Sequence, residues 1–165
     1  LAVLHPHGRR PPIDLHLDRT QLVAAGQGHA LRCVEQPGLA EARTARVKPL
    51  RDHIIGNVLE TTPDSKLTGH PENRLPNHAS FVFKDVDGNL LLQMLDSSGF
   101  ACSSGSACKT GNPEPSEVIT SLGYPRDWAL GSLRITLGVD STAEHVDSFL
   151  KALPALVEKA RKLRN

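Results

Sequence analysis

Between Phe100 and Val118 the chain has almost nothing to bury. Cys102-Ser103-Ser104-Gly105-Ser106-Ala107-Cys108-Lys109-Thr110-Gly111, continued by Asn112-Pro113-Glu114-Pro115-Ser116, is a run of small, polar and conformationally permissive residues. A run with so few apolar side chains reads as an exposed loop. Gly105 and Gly111 permit backbone angles closed to other residues, and Pro113 and Pro115 stiffen the exit. Pro115 suits the first turn of a helix, which continues through Glu117 to Leu122 and stops at Gly123. The expectation is a mobile loop carrying a thiol, anchored just before a helix N-terminus. Cationic neighbours and helix-end amides lower a thiol pKa, and Lys109 stands next to Cys108, so Cys108 is the better candidate for a reactive thiolate. The competing reading is a small core hydrophobe. The polar neighbours Ser106, Lys109 and Thr110 weigh against it.

The rest of the chain supplies the folded structure. A helix is expected from Gln21 to Val34, with Leu22, Ala25, His29 and Cys33 along one side, and Gln36-Pro37-Gly38 ends it. A longer helix is expected from Leu39 to Leu59, with Val47, Leu50, Ile54 and Val58 at helical spacing. Pro49 should bend or interrupt it, and Glu41, Arg43, Arg46 and Arg51 read as its solvated face. Thr61 to Pro76 reads as a polar surface connection, and Ala79-Ser80-Phe81-Val82-Phe83 as a strand closed by a turn at Asp85–Gly88. Leu90 to Leu95 is a short apolar helix capped around Asn89 and ended near Gly99, and Phe100-Ala101-Cys102 a brief strand leading into the loop. Tyr124 to Leu130 reads as a connection. In Ser132–Leu137, Leu133, Ile135 and Leu137 alternate with Ser132, Arg134 and Thr136, a strand with one buried face that displays Arg134 on the other. Ser141-Thr142-Ala143-Glu144 is a capping-box sequence with Ser141 as the cap. The last helix should bury Val146, Phe149, Leu150, Leu153, Val157 and Ala160, and its terminal Lys159, Arg161, Lys162 and Arg164 complement the helix dipole. The expected class is α+β, a small sheet covered by helices.

Composition narrows the function. A chain of 165 residues supports one domain or a piece of a larger protein. A formal net charge of +1 gives no case for nucleic acid or an acidic membrane surface. No apolar run approaches a membrane span of roughly 18 residues. Three cysteines, an odd count without framework spacing, favour a reducing compartment, and a cytoplasmic location is expected. His5-Pro6-His7 lacks further ligands at structural-metal spacing, and Cys102 and Cys108 are not spaced as a zinc knuckle, so no metal site is expected. Residues 1–22 are irregular and unplaced, and the missing initiator Met leads us to expect that the start of the protein is absent.

Three ordered blocks resemble the cysteine desulfurases, pyridoxal-phosphate enzymes of the class V aminotransferase group. They are Leu75-Pro76-Asn77-His78, the loop from Ser103 to Cys108 followed by Glu114-Pro115-Ser116, and Gly131-Ser132-Leu133-Arg134-Ile135-Thr136-Leu137-Gly138. The resemblance implies that residues 23–165 are the C-terminal small domain of a fold-type I enzyme. It implies that Cys108 attacks the sulfur of substrate L-cysteine, giving alanine and a persulfide for an acceptor such as an iron–sulfur scaffold protein. Ser104, Gly105 and Ser106 would support loop motion. Arg134 would clamp the substrate carboxylate, where the residues alone favour a solvated strand charge. A homodimer is implied for the complete enzyme. The family attaches its cofactor through a lysine preceded by histidine, and this chain contains no His-Lys pair. No cofactor-binding residue is therefore expected in this chain, and activity of the chain alone is in doubt. The alternatives are a sulfur-carrier module using Cys108, or an inactive fragment.

Overall fold

A computed structural model describes residues 39–104 and 114–164. The elements run α1 (Leu39–Thr61), β1 (Ser65–Leu67), β2 (His78–Phe83), α2 (Gly88–Ser97), α3 (Glu117–Ser121), α4 (Arg126–Ala129), β3 (Ser132–Thr136) and α5 (Ala143–Arg164). The three strands form one antiparallel sheet in the order β1-β2-β3. The α+β expectation holds. The helix expected over Gln21–Val34 lies outside the described residues.

One face of the sheet carries Ala79, Phe81 and Phe83 from β2 with Leu133 and Ile135 from β3, all buried. The long helices α1 and α5 and the shorter α2 lay their apolar stripes against it: Ile54 and Val58, Phe149 and Leu153, Leu91 and Leu95. Each large side chain removed from water here contributes about 1.5–3 kcal/mol. Phe100 meets Phe149 edge to face at a centroid distance of 5.5 Å. The opposite face holds a smaller cluster, in which Val82 packs with Ile119 of α3 and Ala129 of α4, flanked by Tyr124 and Trp128. The buried stripe of α5 is the one its sequence predicts.

Several local expectations are corrected. Arg51 is not on a solvated face: it is 4% exposed, and its Nη1 donates to the Leu75 carbonyl at 3.0 Å while its Nε donates to Asp52 at 2.8 Å. The buried stripe is Val47, Arg51, Ile54 and Val58, whereas Leu50 is half-buried. Helix α1 runs through Pro49 without interruption, with that residue on the exposed side. The Thr61–Pro76 connection contains β1, paired with β2 from Ser65↔Phe83 to Leu67↔Phe81. The cap of α2 is Asp87, whose carboxylate accepts from the Asn89 and Leu90 amides, because an N-cap oxygen must reach back over the first turn. Pro115 precedes the α3 cap Ser116 and so lies outside the first turn, and Gly123 ends that segment at φ +85°. The Tyr124–Leu130 connection winds into the single turn α4. At α5 the cap is Thr142, whose Oγ1 accepts from the His145 amide, while the Ser141 hydroxyl accepts from Gly138.

Candidate active site

The site grows from the register of two strands. His78 pairs with Thr136, Ser80 with Arg134 and Val82 with Ser132, so these six side chains share the face turned away from the main core. At one end of that face Val82 lies under α3 and α4. At the other, Arg134 is exposed and His78, Ser80 and Thr136 are half-buried. Among the described residues Arg134 has no carboxylate partner. Its guanidinium is a planar fork of donors displayed on a strand.

The cysteine loop begins at this arginine. Ser103 forms an isolated antiparallel bridge with Arg134 on the outer edge of β3: the Ser103 amide donates to the Arg134 carbonyl at 3.1 Å, and the Arg134 amide donates back at 2.6 Å. The expected Phe100–Cys102 strand is reduced to single bridge residues at Phe100 and Ser103. The Arg134 Nη2 donates to Ser103 Oγ at 3.1 Å, and that hydroxyl donates to the Ser104 carbonyl at 3.2 Å. Ser104 is half-buried directly after the bridge. Gly105, Ser106 and Cys108 lie outside the described residues. Where the described chain resumes, Ser116 is buried and Ile119 packs on Val82, so both flanks of the loop are fastened to the same small sheet.

Electrostatics divide the site. Burial, and then the positive charges of Arg134 and Arg74, push the His78 imidazole below its ordinary value, against a smaller opposing effect of its own backbone hydrogen bond. His78 therefore stands beside Arg134 as a neutral ring at pH 7. Cys102 packs against the main core, and burial pushes its thiol up to about 12. A thiol in that state is protonated and inert.

The described residues do not make a cradle for pyridoxal phosphate. Lys48 is paired with Asp52 at 3.0 Å, Lys66 lies 4.1 Å from the Trp128 ring centroid, and Lys162 is paired with Glu158. Of the described lysines Lys84 is half-buried and the rest are exposed, so none is set in an enclosed pocket. Sequence reasoning passed over Ser103 and His78 as individual site residues. Their signal was present, since both fall inside the blocks that carried the resemblance, but only strand register places them beside Arg134.

A three-stranded antiparallel sheet with helices has counterparts among solved structures. A NifS-like protein from Rickettsia africae superposes with a TM-score of 0.61 at 22% identity, over 73% of this chain and 30% of the other. A second NifS-like protein gives 0.58 at 24% identity, over 70% of this chain and 28% of the other. At such identities the likeness is one of fold. The aminotransferase class-V family model matches residues 20–149, and the chain belongs to that family. Among its relatives are cysteine desulfurase IscS 1 of Archaeoglobus fulgidus, 41% identical over 72% of this chain, and an IscS-like cysteine desulfurase of Mycobacterium tuberculosis, 40% identical over 74%. Cysteine desulfurase NifS of Azotobacter vinelandii is 36% identical over 74% of this chain. The chain spans about a third of these relatives' length, 31% in each case. No helix among the described residues is long and apolar enough to cross a membrane.

Proposed function

We propose that residues 23–165 are the small domain of a cysteine desulfurase, contributing the sulfur-accepting thiol Cys108 and the carboxylate clamp Arg134. The observation that carries this reading is the bridge between Ser103 and Arg134. It ties the start of the cysteine loop to an exposed guanidinium whose remaining donors are taken by no other side chain among the described residues. Cys108 follows Ser103 by about five residues, so covalent geometry keeps it within roughly 18 Å of that anchor. Desulfurase relatives favour this reading over a sulfur carrier.

In this reading Arg134 takes the carboxylate of L-cysteine in a two-pronged hydrogen bond, which fixes the side-chain sulfur relative to the loop. The Cys108 thiolate, formed by loss of its proton, attacks that sulfur. A sulfur–sulfur bond forms as the carbon–sulfur bond of the substrate breaks. The electron pair stays on carbon, which takes up a proton to give alanine, and Cys108 is left as a persulfide. Lys109 favours the thiolate by its charge. Ser104, Gly105 and Ser106 are the small residues that let the loop deliver sulfur to an acceptor, such as an iron–sulfur scaffold protein. Pyridoxal phosphate is the cofactor that family membership implies, and its attachment falls to residues outside the described set. A homodimer and a reducing, cytoplasmic setting complete the proposal.

The test is alanine formation from L-cysteine by the pyridoxal-phosphate-loaded protein, compared with Arg134→Lys. Lysine keeps the charge and loses the planar fork, so kcat/KM should fall about tenfold or more. An unchanged kcat/KM would remove Arg134 from the substrate site.

A further inference from the structure

We propose that Ser103 is a positioning residue: its hydroxyl sets the Arg134 guanidinium for an incoming carboxylate and links it to the first peptide of the cysteine loop. The inference rests on reading Arg134 as the carboxylate clamp.

The hydrogen-bond polarity is fixed by chemistry. A guanidinium has no acceptor, so Ser103 Oγ can only accept from Arg134 Nη2, at 3.1 Å. That leaves the single hydroxyl proton for the Ser104 carbonyl, at 3.2 Å. Guanidinium, hydroxyl and loop peptide thus form one directional relay. The strand pairing does not need it. Both backbone bonds of the bridge, Ser103 N–H to the Arg134 carbonyl and Arg134 N–H to the Ser103 carbonyl, are made without the side chain. The hydroxyl is therefore surplus to the strand pairing, and its partner is an exposed arginine that has no carboxylate among the described residues to hold it. Without Ser103 Oγ a long exposed side chain samples many rotamers, and a substrate carboxylate must order it on binding. With Ser103 Oγ one of five donors is spent to hold the fork, and among the described residues no other side chain takes the rest.

The relay makes binding and loop position reciprocal. An anion that fixes Arg134 strengthens its bond to Ser103 and so favours the conformation of the Ser104 peptide seen here. By linkage that peptide conformation favours anion binding.

Two readouts test this. In the full chain, the Arg134 Nε–H resonance in 15N relaxation measurements should report an ordered guanidinium in wild type and in Ser103→Thr, and a mobile one in Ser103→Ala. In the pyridoxal-phosphate-loaded protein, Ser103→Ala should raise KM for L-cysteine about five- to tenfold with kcat within about twofold, and Ser103→Thr should restore it. A purely structural serine would leave Arg134 Nε and KM unmoved. Equal order at Arg134 in wild type and Ser103→Ala would overturn the proposal, as would a mobile Arg134 in wild type. An unchanged KM in Ser103→Ala, alongside a raised KM in Arg134→Lys, would overturn it while leaving the clamp intact. If Arg134→Lys itself leaves KM unchanged, the clamp reading is what fails, and the Nε measurement still decides the Ser103–Arg134 contact.

Discussion

His78 is a neutral ring held between two cations, and that has a consequence for stability. Its folded pKa lies below the unfolded value of about 6.5, through burial first and then Arg134 and Arg74. As pH falls through that window the unfolded chain takes the proton more readily than the folded one. The stabilisation is therefore complete above the unfolded value and is lost as pH falls through the folded value. Asp52 is shifted down as well: burial alone would raise it, and the Lys48 and Arg51 hydrogen bonds and charges outweigh that effect. Its stabilisation is lost only in the carboxylate range, well below the histidine window. Thermal melts at about pH 7.5 and 5.5 should show His78→Gln losing about 1–2 °C less on acidification than wild type, a small effect because the half-buried ring is partly screened. Equal losses would contradict this account of His78. Residue chemistry was only partly legible in the sequence. The helical spacing of Val47, Ile54 and Val58 admits either Leu50 or Arg51 into the buried stripe. Hydrophobicity favours Leu50, but the Leu75 carbonyl satisfies a buried guanidinium, so Arg51 took the place.

At the scale of elements, the start of β3 depends on two backbones meeting without side chains between them. A Cβ on Gly131 would stand 2.0 Å from the Phe83 carbonyl oxygen and 3.2 Å from Val86 Cβ, and one on Gly88 would stand 2.7 Å from the Leu130 carbonyl oxygen. Phe83 N–H donates to the Gly131 carbonyl at 3.0 Å, so the contact cannot open without breaking the join between β2 and β3. Gly131→Ala should therefore destabilise the protein by about 3 kcal/mol, read from the denaturant midpoint. A change under about 0.5 kcal/mol would show that the join is softer than this. The glycine that opens the Gly131–Gly138 block thus has a physical reason within the sheet. Long periodic elements were legible: α5 announced every buried position, and β3 alternated except at Ser132, which is buried. Strand β1 was not, because Ser65-Lys66-Leu67 is too short to show a period and is recruited by pairing with β2. Caps shifted by one or two residues for a related reason. Asp87 and Thr142 were chosen by the geometry of the first turn, which several neighbouring polar residues could have supplied.

For the whole molecule, the sheet is an organiser with two different faces. One buries the aromatic and aliphatic core, and the other carries Arg134 in the open while holding both flanks of the cysteine loop, through Ser103 at β3 and Ile119 on Val82. The C-terminal basic cluster adds to this frame. Arg161 donates to the carbonyls of Lys84 and Pro63 at 3.1 Å each, which pins the end of α5 to the turns beside β1 and β2 as well as complementing its dipole. The candidate site was legible as three sequence blocks, but their meeting at one end of one sheet face was not, because it is set by antiparallel pairing between residues distant in the chain, Ser103 with Arg134 and β2 with β3. The central claim is that this frame serves a sulfur-accepting thiol at Cys108. The most direct measurement is mass spectrometry of the cysteine peptides after the pyridoxal-phosphate-loaded protein meets L-cysteine. One added sulfur atom is expected on Cys108, located by fragmentation of the peptide that also carries the partly buried Cys102, and none on Cys102. Sulfur on Cys102 or Cys33, or alanine formed at the wild-type rate by Cys108→Ser, would contradict it.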